Sequence, residues 1–187
     1  ISAIVSASLD VPVAKHGNRS ASSSCGSADL LEQLGVNINL KPEQAEQCLD
    51  QIGMAFLFAP IYHPAMKSLA TVRKQLAIKT IFNILGPLCN PASAKHQIIG
   101  VSDPKIAPII IGVLKNLGSK HALVFHGDGL DEITVAGETT IYQLNRQKIT
   151  KQIVNPNMFG ITMAKKADLL GGDVEKNKQI CLDILNG

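Results

Sequence analysis

The order of apolar segments predicts an α/β domain whose sheet is mostly parallel and covered on both faces. Three observations carry that expectation. Short, unbroken apolar runs (VPVA, MAFLFAPI, QIIGV, HALVF) alternate with segments of helical period. The polar stretches KHGNRSASS, YHPAMK and HGDGLDE each follow a strand candidate directly, the position where ligands bind in such sheets, beyond the carboxyl ends of the strands. Finally, ITVAGETTIYQL sets Gly137 between two runs of period two, which predicts a hairpin that adds an antiparallel strand.

Taken in order, the opening ISAIVSASLD reads as an apolar helix and residues 11–14 as a short buried strand. GSADLLEQLG places Leu30, Leu31 and Leu34 on one helical face and stops at Gly35. KPEQAEQCLDQIG offers Pro42 in a first helical turn and Gly53 as a stop, ahead of the run MAFLFAPI. A helix over about 64–77 follows, then the strand-like QIIGV. The helix PKIAPIIIGVLKNLG comes next, with Ile106, Ile110, Val113 and Leu117 on one stripe. HALVF is a buried strand, the hairpin follows, and ICLDILNG ends the chain as a helix.

A chain of 187 residues with 45% apolar content can bury one sizeable core, which predicts a single domain over 1–187. Eighteen Lys and Arg against fifteen Asp and Glu give a net charge of +3. The basic residues are dispersed, without the polybasic runs and interleaved aromatics of a nucleic-acid groove. Cys25, Cys48, Cys89 and Cys181 lie far apart with no CxxC pattern, so neither a disulfide framework nor a zinc site is expected and a reduced, cytoplasmic setting fits. No segment has the ~20 uninterrupted apolar residues of a membrane span, and the start lacks a basic region and a cleavage site. The chain opens without Met inside a helical pattern and closes on another, so it is expected to be a piece of a longer protein.

The stretch KHGNRSASSSCGSAD, residues 15–29, carries the densest chemistry. Gly17 and Gly26 let the backbone approach a ligand, the N–H groups around Ser22, Ser23 and Ser27 can line a concavity at a helix start, and Lys15 and Arg19 add charge. A small anion such as phosphate or diphosphate suits it; a polar loop with Ser27 capping the helix accounts for the same residues. The spacing is not that of a GxxxxGK[ST] loop. Adjacent Asp131 and Glu132 in GDGLDEI are oxygen ligands for Mg²⁺, or a solvated turn. Arg73, at helical spacing from Tyr62, His63 and Pro64, offers a planar fork to a carboxylate, or lies on a wet helix face. FNILGPLCNP is a rigid turn, or one wall of an aromatic-ligand pocket.

VAKHGNRSASSSCGSADLLEQLG, YHPAMKSLATVRKQLAIKTIFNILGPLCNPA and HGDGLDEIT together resemble the anthranilate phosphoribosyltransferases of tryptophan biosynthesis, in the same order from Ile1 to the end of the chain. The resemblance implies a large mixed sheet flanked by helices, of the kind seen in the carboxyl-terminal domains of nucleoside phosphorylases and phosphoribosyltransferases. It implies transfer of the phosphoribosyl group from 5-phosphoribosyl 1-diphosphate to the amino group of anthranilate, with Mg²⁺, in a homodimeric cytoplasmic enzyme that uses neither nucleic acid nor membrane. By motif, Lys15, His16, Gly17, Asn18, Arg19, Ser22, Ser23 and Ser27 fall where the family holds phosphoribosyl diphosphate. Asn18 and Arg73 fall where it holds anthranilate, His63 and Pro87 where it lines the aromatic channel, and Asp131 and Glu132 where it holds Mg²⁺.

Cleaving the bond to diphosphate places negative charge on the leaving group, so Lys15 is expected to act catalytically by stabilising it, and Arg73 by positioning the amine. His16 and His63 are the candidates to accept the amine's proton. The family's helical N-terminal domain, GTGGD loop and N-x-S-T segment have no counterpart in this sequence, which predicts little turnover by the 187-residue piece alone. Two other readings share the architecture. A pyrimidine nucleoside phosphorylase carries a different phosphate loop, which KHGNR and Arg73 oppose; a nucleic-acid-binding relative needs an extensive basic surface, which +3 opposes.

Overall fold

Helices and strands alternate along the chain as an α/β architecture in the computed structural model, which describes residues 1–20, 24–68 and 81–187. The chain divides into two compact units, Ile1–Ala92 with Gly171–Gly187, and Ser93–Leu170.

The first unit is built on two parallel strands, β1 (Val13–Gly17) and β2 (Met54–Phe58), in register from Val13 opposite Met54 to Gly17 opposite Phe58. Helix α1 (Ser2–Ala7) precedes β1. Successive side chains of a strand point to opposite faces, and each face has its own helix. On one, Phe56 and Phe58 pack with Ala28 and Leu31 of α2 (Ser27–Gln33) and with Ile38. On the other, Ala55 and Leu57 pack with Ala45 of α3 (Pro42–Ile52), joined by Ala14, Cys48, Leu49 and Tyr62. Pro42 opens α3, and Gly53, at φ 70°, ends it in a left-handed conformation, as its sequence predicts.

The apolar run does not continue as strand to its end. After Phe58 the chain turns into helix α4 (Ala59–Tyr62), with Pro60 in its first turn, and then α5 (Pro64–Ser68). The helix expected over 64–77 is therefore seen as far as Ser68, and residues 69–80, Arg73 among them, lie outside the described residues. Helix α6 (Phe82–Leu85) and a 3₁₀ turn (Gly86–Leu88) follow. The Asn90 amide donates to the Ala14 carbonyl at 3.0 Å, tying this segment to β1.

In the second unit the order is β3 (His96–Gly100), β4 (His121–Gly127), β5 (Thr139–Asn145), β6 (Lys148–Val154), with β3 and β4 parallel and the other two pairs antiparallel. The strands of the described residues thus form one two-stranded parallel sheet and one four-stranded mixed sheet. Helix α7 (Ala107–Asn116) buries Ala107, Ile110, Ile111 and Leu114. This stripe is rotated from the expected one: Ile110 is shared, but Leu117 lies past the helix end and is 59% exposed. The hairpin also sits further along than expected. Ile133–Ala136 is not a strand; the turn is at Arg146 and Gln147, whose φ values of 44° and 70° are those of a type I′ turn without the usual glycine. The 3₁₀ turns Pro156–Phe159 and Lys166–Leu169 complete this unit, and α8 (Val174–Asn186) returns to the first unit and packs on α2. No described helix is long and apolar enough to cross a membrane.

Candidate functional site

In a parallel pair both carboxyl ends face the same rim, and the first unit puts KHGNR on that rim. The strand expected to end at Ala14 continues through Lys15, His16 and Gly17, because each pairs with an apolar residue of β2: Phe56, Leu57 and Phe58 respectively. Alternation then separates neighbours. Lys15 and Gly17 belong to the face of Phe56 and α2, while His16 belongs to the face of Ala14 and Leu57.

On the second of these faces two predicted site residues meet. His63, between α4 and α5, brings its Nε2 to 3.2 Å from Nε2 of His16, with the rings edge-on at 75° and their centroids 5.1 Å apart. Two nitrogens at that distance share one proton: one donates and the other accepts. Burial holds the His16 pKa below the usual histidine value, and the neighbouring His63 charge acts in the same direction, partly opposed by a hydrogen bond with the Gly86 backbone. That bond brings the Gly86–Leu88 turn to the pair; Pro87, within the turn, is itself exposed. The Tyr62 hydroxyl, next in sequence to His63, is buried with no hydrogen-bond partner among the described residues.

The other face carries Lys15, which makes no ion pair among the described residues, and the turn from Asn18 into α2. Ser22 and Ser23 lie outside the described residues. Ser27 is the first residue of α2, not its cap; Gly26 holds the cap position. The Asp29 carboxylate supplies what Gly26 cannot, accepting from the Gly26 N–H at 2.9 Å and from the Ser20 N–H at 3.2 Å. Arg19 turns its guanidinium toward α2. Nη1 lies 2.8 Å from Asp29 Oδ1 and 2.8 Å from Glu32 Oε2, Nη2 donates to Glu32 Oε1 at 3.1 Å, and the group stands 5.7 Å from the centre of the Phe58 ring. These hydrogen bonds hold the pKa values of Asp29 and Glu32 below the ordinary carboxylate range. The N–H of Arg19 donates to Oδ1 of exposed Asn18 at 2.8 Å, and the N–H of Ala28 to the Asn18 carbonyl at 3.4 Å.

Asp131 and Glu132 belong to the second unit, both exposed in the loop after β4. The loop is positioned by backbone: Gly127 exchanges two hydrogen bonds of 2.9 Å with Leu130 around the Asp128–Gly129 turn. The Asp131 carbonyl sits against Gly100, where a methyl group would collide with it. His126 braces the turn from below, Nδ1 donating to the Val101 carbonyl at 2.8 Å and Nε2 accepting from the Gly129 N–H at 3.0 Å. No group of three or more His, Cys, Asp or Glu side chains capable of holding a metal occurs among the described residues. Two adjacent carboxylates fit Mg²⁺, which commonly takes one or two and completes its shell with water and substrate phosphate.

Sequence reasoning missed Asp29, Glu32 and Gly86. The first two had a legible signal, an acid three residues after a cap position and a second acid one turn on, facing an arginine that reads as a phosphate ligand when taken alone.

The whole chain, residues 1–187, matches the model of a glycosyl transferase family, a/b domain. The anthranilate phosphoribosyltransferase of Endomicrobium trichonymphae is 53% identical over 188 residues, covering 100% of this chain and 56% of that protein. Among solved structures, the anthranilate phosphoribosyltransferase of Thermus thermophilus superposes with a TM-score of 0.88 at 41% identity, over 96% of this chain and 53% of that one. The Saccharomyces cerevisiae enzyme in complex with PRPP and Mg does so with a TM-score of 0.86 at 29% identity, over 96% and 50%. The chain spans about half the length of the curated relatives it matches.

Proposed function

This chain belongs to the glycosyl transferase family whose a/b domain it matches, and on that premise we propose that the protein transfers the phosphoribosyl group of 5-phosphoribosyl 1-diphosphate to the amino group of anthranilate. The products are N-(5-phosphoribosyl)anthranilate and diphosphate, in the second step from chorismate to tryptophan. The observation that carries the reading is the KHGNR string at the carboxyl end of a parallel strand, in a chain 53% identical to a protein of that name.

In this reading Lys15, His16, Gly17, Asn18, Arg19, Ser22, Ser23 and Ser27 serve phosphoribosyl diphosphate, while Asn18, His63, Arg73 and Pro87 serve anthranilate. Lys15 faces the charge that develops on the leaving diphosphate, and Arg73 orients the anthranilate carboxylate so that the neutral amine meets the ribose carbon. The His16–His63 pair takes the proton the amine loses, a role suited to an imidazole held neutral by burial. Asp131 and Glu132 would hold Mg²⁺, which when bound offsets diphosphate charge. Residues 1–187 are read as a single α/β domain of a homodimeric cytoplasmic enzyme.

The test is turnover by the complete protein. Loss of anthranilate fluorescence that requires both phosphoribosyl diphosphate and Mg²⁺, with diphosphate released in equal amount, supports the reading. An unchanged signal with active controls sinks it.

A further inference from the structure

We propose that Arg19 acts on phosphoribosyl diphosphate through Asp29, as a clamp that fixes the Asn18–Ser20 turn against α2, and does not touch a phosphate itself. The proposal rests on the function proposed above for its kinetic consequence and on geometry alone for the clamp.

The guanidinium already faces two carboxylates. Nη1 and Nη2 together make contacts of 2.8, 2.8 and 3.1 Å to Asp29 and Glu32, the forked arrangement that planar guanidinium favours. A phosphate arriving there meets two carboxylates that already neutralise the cation, and it is repelled by both. Asp29 does the remaining work. One oxygen takes Arg19 and the other takes the N–H groups of Gly26 and Ser20, so a single side chain joins the two ends of the 20–26 segment to the helix.

The segment has no room for error at Gly26, where an added methyl group would collide with the Ser20 backbone. The neighbouring turn is held by the same arginine's backbone, through the Arg19 N–H to Asn18 Oδ1 bond of 2.8 Å. Exposed ion pairs contribute little to global stability. The clamp's effect is therefore expected in the local geometry of Asn18 and Ser20, both within the stretch that serves the phosphorylated substrate.

The experiment is a double-mutant cycle in the complete protein: Arg19→Ala, Asp29→Ala and both together, with Arg19→Lys as a milder variant that keeps charge without the fork. Amide hydrogen exchange without substrate is the first readout. Faster exchange at Ser20 and Gly26 in Arg19→Ala, and in Arg19→Lys if the alanine variant fails to fold, supports the clamp; unchanged protection overturns it whatever the activity. Kinetics are the second readout. Each single variant is expected to raise KM for phosphoribosyl diphosphate about tenfold with kcat within about threefold, and the double variant to match the worse single one, because coupled residues are non-additive. Multiplying effects, with Arg19→Ala far worse than Asp29→Ala, overturn the proposal in favour of direct phosphate contact. If wild type shows no transferase activity, the functional reading fails and the exchange data still decide the clamp.

Discussion

Replacing Gly17 with Ala tests how closely β1 must approach α2. A methyl group built on Gly17 lies 2.8 Å from Cε2 and 3.0 Å from Cζ of Phe56, and 2.8 Å from Oγ of Ser27, against an optimal carbon separation of about 3.5–4.0 Å. Phe56 is 3% exposed and packed among Ala28, Leu31, Ile38 and Phe58, so its ring cannot swing away, whereas the Ser27 hydroxyl can turn aside about its χ1 angle. An overlap of somewhat under 1 Å with a fixed ring is overpacking, whose cost runs about 1–3 kcal/mol. The Gly17 backbone contributes no left-handed strain, so the cost is purely one of space. Urea unfolding of the complete protein should show a lower midpoint with an unchanged slope. Adding Phe56→Leu, which removes the ring edge, should recover part of the loss relative to Phe56→Leu alone. A Gly17→Ala protein as stable as wild type would mean that α2 is not seated on β1 as described.

Three further outcomes follow from other features. Because the folded pKa of His16 is depressed, the unfolded chain takes up the proton first as pH falls through about 6.5, so this residue's contribution is complete above that pH and is lost below it. His16→Gln should therefore shrink the stability difference between pH 7.5 and 5.5 measured by urea unfolding, and an undiminished difference would contradict the burial assigned to the ring. Arg146 and Gln147 hold positive φ without glycine, so Arg146→Asn with Gln147→Gly should stabilise the β5–β6 hairpin by roughly 0.5–1 kcal/mol, readable as slower exchange of its amides; faster exchange would contradict the turn type. Changing Asp131 to Asn and Glu132 to Gln should leave the melt unchanged while cutting transferase turnover at least 100-fold, about 3 kcal/mol, and shifting the Mg²⁺ requirement upward, with superimposed Mg²⁺ curves contradicting the assignment.

Helices α2 and α3 of the first unit are legible because their signals are local: Pro42 and Gly53 bracket α3, and GSADLLEQLG carries its apolar face and its stop. Three misjudged boundaries had non-local causes. Lys15 and His16 read as loop by polarity, yet they are strand because Phe56 and Leu57, 41 positions further on, pair with them. The α7 stripe needed the position of β4 and β5 to choose between two apolar faces of an almost uniformly apolar helix. Residue preference favours a turn at Gly137, whereas the chain turns at Arg146–Gln147, where strand pairing supplies what residue preference does not. Of the site, His16 and His63 each stand in a legible motif, but their 3.2 Å approach is a product of the fold. Arg19 was legible as charge and illegible as a partner, since its carboxylates are ten and thirteen positions further on.

The pleat of β1 makes its five residues two interleaved sets that answer to different neighbours. Removing a single residue ahead of Lys15 would slide every later side chain of the strand to the other side. The ammonium would then enter the apolar layer of Ala45, Ala55 and Leu57, and the imidazole would leave His63 for Phe56 and α2. A change of one residue in length at this point is thus a graver lesion than most substitutions, because it exchanges two chemistries at once. The loops on either side can absorb an insertion; the strand has a reading frame.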